Sequence, residues 1–168
     1  MEAIDFSLLV IRVVLGVTMI AHGVNHWIGG GKIAGTAGWF GGLGLKFPMM
    51  QAWASVVTEI GAGALLILGL LSPLACAAVV SVMLVAGVLA HRPNGFFVFK
   101  DGFEYVLVLA AVAIALGGIG PGEVSLDRLL DIDDNLDGWT GIIIAAGVGV
   151  VATAGLLAAT WRPKPASA

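Results

Sequence analysis

The chain has 168 residues, 59% of them apolar and 11% charged, with a formal net charge of −3 and a mean hydropathy of +1.03. A soluble domain carries roughly a quarter charged residues, so this composition excludes an ordinary soluble protein and points to an integral membrane protein. The charge excludes a nucleic-acid binder, which needs clustered Lys and Arg, and the lone Cys76 excludes an intrachain disulfide or a Cys-based zinc or iron–sulfur centre.

Five apolar stretches are candidates to cross a hydrocarbon core of about 30 Å, which takes about 20 helical residues. The first covers residues 6–28; Glu2 and Asp5 ahead of it, and its length, argue against a cleavable signal. Segment 29–50 is too Gly-rich to span and reads as an interfacial or re-entrant loop with a short helix around residues 33–40. Its Gly29-Gly30-Gly31-Lys32 run lacks the spacing and the preceding strand of a phosphate loop. The second span covers 51–71, and Ser72-Pro73 makes a minimal turn into a third that ends near residue 91, because proline is favoured in a first helical turn. The fourth covers 102–118, broken by Gly120-Pro121-Gly122, and the fifth covers 139–160. In the loop between them, Asp133-x-Asn135-x-Asp137-Gly138 matches half of a calcium loop. Its twelfth position is Ile144 rather than Glu, so a solvated acidic loop is expected at 123–137. Cys76 lies in an apolar run and is expected to pack as a small hydrophobe.

The positive-inside rule sets the orientation. With the C-terminus in the cytoplasm, the inner segments hold Lys32, Lys46, Arg92, Lys100, Arg162 and Lys164, and the outer ones only Arg128. The expectation is N-out/C-in. Most aromatic residues, Trp27, Trp39, Phe40, Phe96, Phe97 and Phe99 among them, then fall near the inner interface, as an aromatic belt or as the walls of an apolar pocket.

The first span carries ionisable residues that a bilayer penalises. At 100° per residue, Gly16, Met19, Gly23 and His26 lie within about 40° of the Arg12 direction and His22 about 80° round the same side. By helical rise, His22 sits about 9 Å and Glu59 about 12 Å inside the cytoplasmic end, and Arg12 about 24 Å from it. His26, His91 and Glu104 lie nearer that surface. Five ionisable groups on four helices therefore share one inner layer. Arg12 belongs to the outer half, where it snorkels or pairs with an acid, Asp127 first and Glu59 second. The candidate ligand-binding set is His22, His26, Glu59, His91, Glu104 and Arg12. The structural alternative is that these groups only hydrogen-bond neighbouring helices. Two chemistries fit the layer. One is proton-linked binding of a quinone-like or lipid molecule, since His and Glu exchange protons near neutral pH when burial shifts them. The weaker one is a metal site of His22, His26, Glu59 and His91. Catalytic residues are not assignable, and whether the chain is an enzyme stays open.

The chain resembles the DoxX family of membrane proteins. The resemblance rests on Arg12-x-x-Leu15-Gly16 with His22-Gly23, on Thr58-Glu59-Ile60-Gly61-Ala62-Gly63 with Leu68-Gly69-Leu70, and on His91-Arg92 with Asn94-Gly95-Phe96-Phe97. Glu104-Tyr105 and Gly118-x-Gly120-Pro121-Gly122 with Ser125-Leu126-Asp127 complete it, over about residues 5 to 130. The family usually has Lys where His26 stands. The resemblance implies an all-α, four-helix transmembrane bundle, here with a fifth C-terminal transmembrane helix. It divides the chain into a bundle over residues 1–130, including segment 29–50, and a remainder over 131–168: acidic outer loop, fifth helix and short cytoplasmic tail. It also implies a multi-pass protein of the bacterial cytoplasmic (inner) membrane, associated with respiratory oxidoreductases that pass electrons to quinone. The expected role is an accessory subunit of such a redox complex, with the bilayer, membrane or cytosolic redox enzymes and a second copy of the chain as candidate partners. The alternatives are a small proton-coupled transporter and a non-catalytic docking or assembly protein.

Overall fold

A computed structural model describes residues 2–163; Lys164, counted above among the inner cations, lies outside them. The described residues are helical, with one isolated bridge between Leu45 and Trp161 and no strand. Helix α1 is Ala3–Ile28, α2 is Lys32–Gly42 and α3 is Pro48–Leu68. Helix α4, Ser72–Ala86, runs on through a π turn at Gly87–His91 and a 3-10 turn at Arg92–Asn94. Helix α5 is Glu104–Ile119, α6 is the single turn Leu126–Leu129, and α7 is Gly138–Thr160, interrupted by a π segment at Ile143–Val148.

Among the described residues, four helices are long and apolar enough to cross a membrane: Ala3–Ile28, Pro48–Leu68, Ser72–Asn94 and Gly138–Thr160. The expected fourth span, α5, has 16 residues, which rise about 24 Å against a core of about 30 Å. It still runs from the end of the bundle that carries residues 92–103 to the end that carries 120–137.

Local chemistry sets the helix ends. Asp5 accepts the backbone N–H of Glu2 at 2.9 Å and opens α1. The expected short helix at 33–40 forms as α2 and lies against α1 and α3. Helix α3 stops at Leu68, three residues before the expected end, because Gly69 adopts a left-handed backbone (φ 63°) and caps it. The turn is therefore Gly69–Leu71, and Ser72-Pro73 opens α4 instead of forming the turn.

Glycines bring the helices together, as small residues do where lipid supplies no hydrophobic drive. A β-carbon on Gly16 would lie 2.6 Å from the Gly63 carbonyl oxygen, and one on Gly63 2.5 Å from that of Gly16, so α1 and α3 cross backbone to backbone. Gly117 and Gly141 make the same kind of contact between α5 and α7. Helix α4 packs against α3, α5 and α7. The core holds Leu15, Met19, Leu66, Cys76, Val79 and Ala113, and Cys76 is a fully buried free thiol. Outward positions such as Val14, Val57, Val108 and Val151 are apolar and exposed, which fits a bilayer around the helices.

Two groups of loops mark the ends. At the α2 end, Lys46 N–H donates to the Thr160 carbonyl at 2.9 Å and the Trp161 indole to the Leu43 carbonyl at 3.0 Å, so the C-terminal end of α7 docks on the α2–α3 junction. At the opposite end, Glu123 N–H donates to Asp5 at 3.2 Å.

Candidate functional site

The stripe from Arg12 to His26 faces α3, as buried Arg12, Gly16, Met19 and Gly23 show. It holds two separate polar centres.

The first lies near the α2 end. Glu59 of α3 is 2% exposed. One turn earlier on the same helix, the Ser55 hydroxyl donates to Glu59 Oε1 at 2.5 Å. From α1, His26 Nε2 stands 3.7 Å from the same oxygen. Gly23 permits the approach: a β-carbon there would lie 3.1 Å from Glu59 Cβ and 2.8 Å from Ile60 Cγ1. Helix α2 closes the site. Its Thr36 hydroxyl donates to the His26 carbonyl at 2.8 Å, Trp39 stacks on the His26 ring at 6.0 Å, and Phe40 meets it edge-on at 5.8 Å. The other carboxyl oxygen, Glu59 Oε2, is buried and has no hydrogen-bond partner among the described residues. A buried polar atom without a partner is rare and costly, so the arrangement leaves one carboxyl oxygen for a proton or a ligand's donor.

The other members of the expected layer go elsewhere. His22 is exposed; its Nδ1–H donates to the Thr18 carbonyl at 2.9 Å, and its ring stacks on Tyr105 of α5 at 6.2 Å. His91 donates through Nδ1 to the Asp101 carbonyl at 2.7 Å, and Glu104 accepts the Val98 N–H at 2.9 Å. With Asn94, which donates to the carbonyls of Ala90 and Asp101 at 3.2 Å each, they fold the 92–103 loop onto itself. The five groups do not meet. Nor does the structure gather the metal set: no three His, Cys, Asp or Glu side chains among the described residues are placed to hold an ion.

The second centre is Arg12, fully buried toward the opposite end. Its Nη2 donates to the Val124 carbonyl and its Nη1 to that of Leu66 at 3.4 Å. The expected ion pair with Asp127 does not form at contact distance, and Glu59 does not replace it. Asp127 is already engaged: it accepts the N–H groups of Leu71 and Ser72 at 2.6 and 2.9 Å, at the start of α4. Those N–H groups have no partner within the helix. Gly69 makes room, since a β-carbon there would collide with the guanidinium. Arg12 thus ties α1 to the ends of α3 and the 120–127 loop, far from Glu59.

In the acidic loop, Arg128 approaches Glu123 and Asp133 at 3.4 Å each and Asp134 at 3.9 Å. Those carboxylates, Glu123 first, hold its guanidinium above the ordinary arginine range.

Thr36 and Ser55 are site residues that sequence reasoning did not assign, and Trp39 and Phe40 were expected only as part of an aromatic belt or of apolar pocket walls. Ser55, four residues before Glu59, was the readable signal, because i and i+4 share a helix face. A family model described as DoxX matches residues 7–92. The match takes in Arg12, His22, His26, Glu59 and His91 and stops before Glu104. No curated protein and no solved structure matches the chain.

Proposed function

We propose that this chain, which belongs to the DoxX family, holds the polar head of a quinone-like lipophile between His26 and Glu59 and serves a quinone-linked redox complex as an accessory subunit. The unpartnered Glu59 Oε2 carries this reading. A quinone head offers carbonyl oxygens when oxidised and hydroxyls when reduced. His26 is a donor to the first, and the free carboxyl oxygen an acceptor from the second. Trp39 and Phe40 supply a flat apolar cover for such a ring. Residues His22, His91, Glu104 and Arg12 take supporting places in this reading: His22 stacked on Tyr105 between α1 and α5, His91 and Glu104 shaping the loop, Arg12 bracing the bundle.

In the same proposal the α2 end faces the cytoplasm of a bacterial inner membrane, with α5 as a short span and α7 as the fifth. The six-to-one split of Lys and Arg supports that orientation. The α2–α3 junction and the 92–103 loop are then the faces open to cytosolic redox enzymes.

The test is extraction of lipids from protein purified in mild detergent. We expect a co-purified quinone with the wild type and with His91→Ala, and its loss from Glu59→Gln and His26→Ala, which also slow quinone-linked oxidation in cells. Equal quinone content in wild type and Glu59→Gln overturns the assignment.

A further inference from the structure

We propose that a groove between α4 and α5 holds an acyl chain of an anionic phospholipid, with the headgroup on Arg92. The groove has a volume of about 290 Å³. Gly87 and Val88 form one wall and Val106 and Ala110 the other, and among the described residues Arg92 is the only charged one that lines it. It shares no residue with the His26–Glu59 centre, so it stands whether or not a quinone binds there.

Local sequence makes the groove. The π turn at Gly87–His91 widens the end of α4, a distortion often found at functional sites. Gly87 presents no side chain, and even a β-carbon there would reach within 3.4 Å of Val106 Cγ2. Ala110 keeps the facing wall low. From Phe103 at the mouth to Ala110 the groove descends about 10 Å along α5.

Charge selects the occupant. Arg92 is exposed, and among the described residues its guanidinium makes no ion pair and no hydrogen bond. Its neighbour His91 is turned to the Asp101 carbonyl. An apolar trough open to lipid, with one free guanidinium at its rim, complements a molecule that is aliphatic along its length and anionic at one end. The guanidinium fork matches phosphate oxygens, and cations at a membrane surface draw anionic lipid. A neutral quinone offers Arg92 no counter-charge.

The experiment is native mass spectrometry of the full chain with phosphatidylglycerol and phosphatidylcholine supplied in equal amounts. Wild type should retain phosphatidylglycerol in preference by about fivefold, the size of effect one surface cation exerts on anionic lipid. Arg92→Gln should lose the preference, and Lys46→Gln, at the α2–α3 junction, should keep it. Ala110→Phe, which fills the groove, should release both lipids. If that variant does not fold, Arg92→Gln against Lys46→Gln decides the matter alone, because both side chains are on the surface. Equal retention of the two lipids by wild type, an unchanged preference in Arg92→Gln, or an equal loss in Lys46→Gln overturns the proposal. So does a neutral quinone or a second copy of the chain as the species that Ala110→Phe displaces.

Discussion

Asp127 accepts the backbone N–H of Ser72 at 2.9 Å across 55 residues of sequence. It also takes the Leu71 N–H at 2.6 Å, and its own N–H donates to the Gly69 carbonyl at 2.8 Å. One residue of the single-turn α6 thereby closes the α3–α4 turn from outside. Hydrogen bonds to a charged group contribute about 1.5–3 kcal/mol each, and helix caps about 1 kcal/mol. Asp127→Ala should lower stability by about 3 kcal/mol, and Asp127→Asn, which retains one acceptor oxygen, by less. The thermal unfolding midpoint in detergent reads this; an unchanged midpoint for Asp127→Ala would show that the turn holds itself.

Arg12 is predicted to tolerate no conservative exchange. Its fork reaches the carbonyls of Val124 and Leu66 together, and a lysine's point charge cannot span both. Arg12→Lys should cost about 2 kcal/mol, the penalty of a buried acceptor left unpaired. Equal midpoints for Arg12→Lys and wild type would refute the two-carbonyl anchor.

The α1–α3 crossing gives a contrast within one helix. Gly63→Leu should cost about 1–3 kcal/mol through overpacking against Gly16 and Ile20. Gly61→Leu points where a β-carbon meets nothing within 4 Å and should be neutral. If both variants unfold alike, close helix approach is not what the glycines provide.

Arg128 should matter little. Its folded pKa lies above the ordinary arginine value, held there by Glu123 and Asp133. A raised folded pKa contributes fully below the unfolded value and is lost only as pH climbs past the folded one. Arg128→Ala should therefore leave the pH dependence of unfolding unchanged over about pH 5–9, since exposed ion pairs are screened. A pH-dependent loss within that window would show that the acidic loop does more than solvate itself.

The helices were readable where the chain carries its own punctuation. Gly120-Pro121 ends α5 close to where it was expected, while Pro48 opens α3 three residues before the expected start at 51. Segment 29–50 announced a helix too short to span, and α2 is that helix. The end of α3 was misplaced because Leu70 and Leu71 are as apolar as the helix before them, and only the left-handed Gly69 separates them. The site was half legible. Counting residues matched His22 to Glu59 and set His26 nearer the surface, but it is His26 that stands beside Glu59, while His22 stacks on Tyr105. His91 and Glu104, counted into the same inner layer, are taken up by carbonyl and amide groups of an irregular loop, which no periodicity encodes.

What the sequence by itself determined is the set of apolar helices, their order, and the place of each polar group along its helix, because helical hydrogen bonds are local and the rise per residue is constant. Only the tertiary structure decided which polar groups meet. That depends on rotation about each helix axis and on how closely axes approach, which Gly16, Gly63 and Gly23 set by lacking side chains. It also depends on where helix ends leave carbonyls and amides unpaired. Arg12 therefore reached Val124 and Leu66 rather than Asp127, since the carboxylate was already bound to the start of α4. Apolar burial is additive along a chain, while a buried hydrogen bond exists only when both partners arrive in three dimensions.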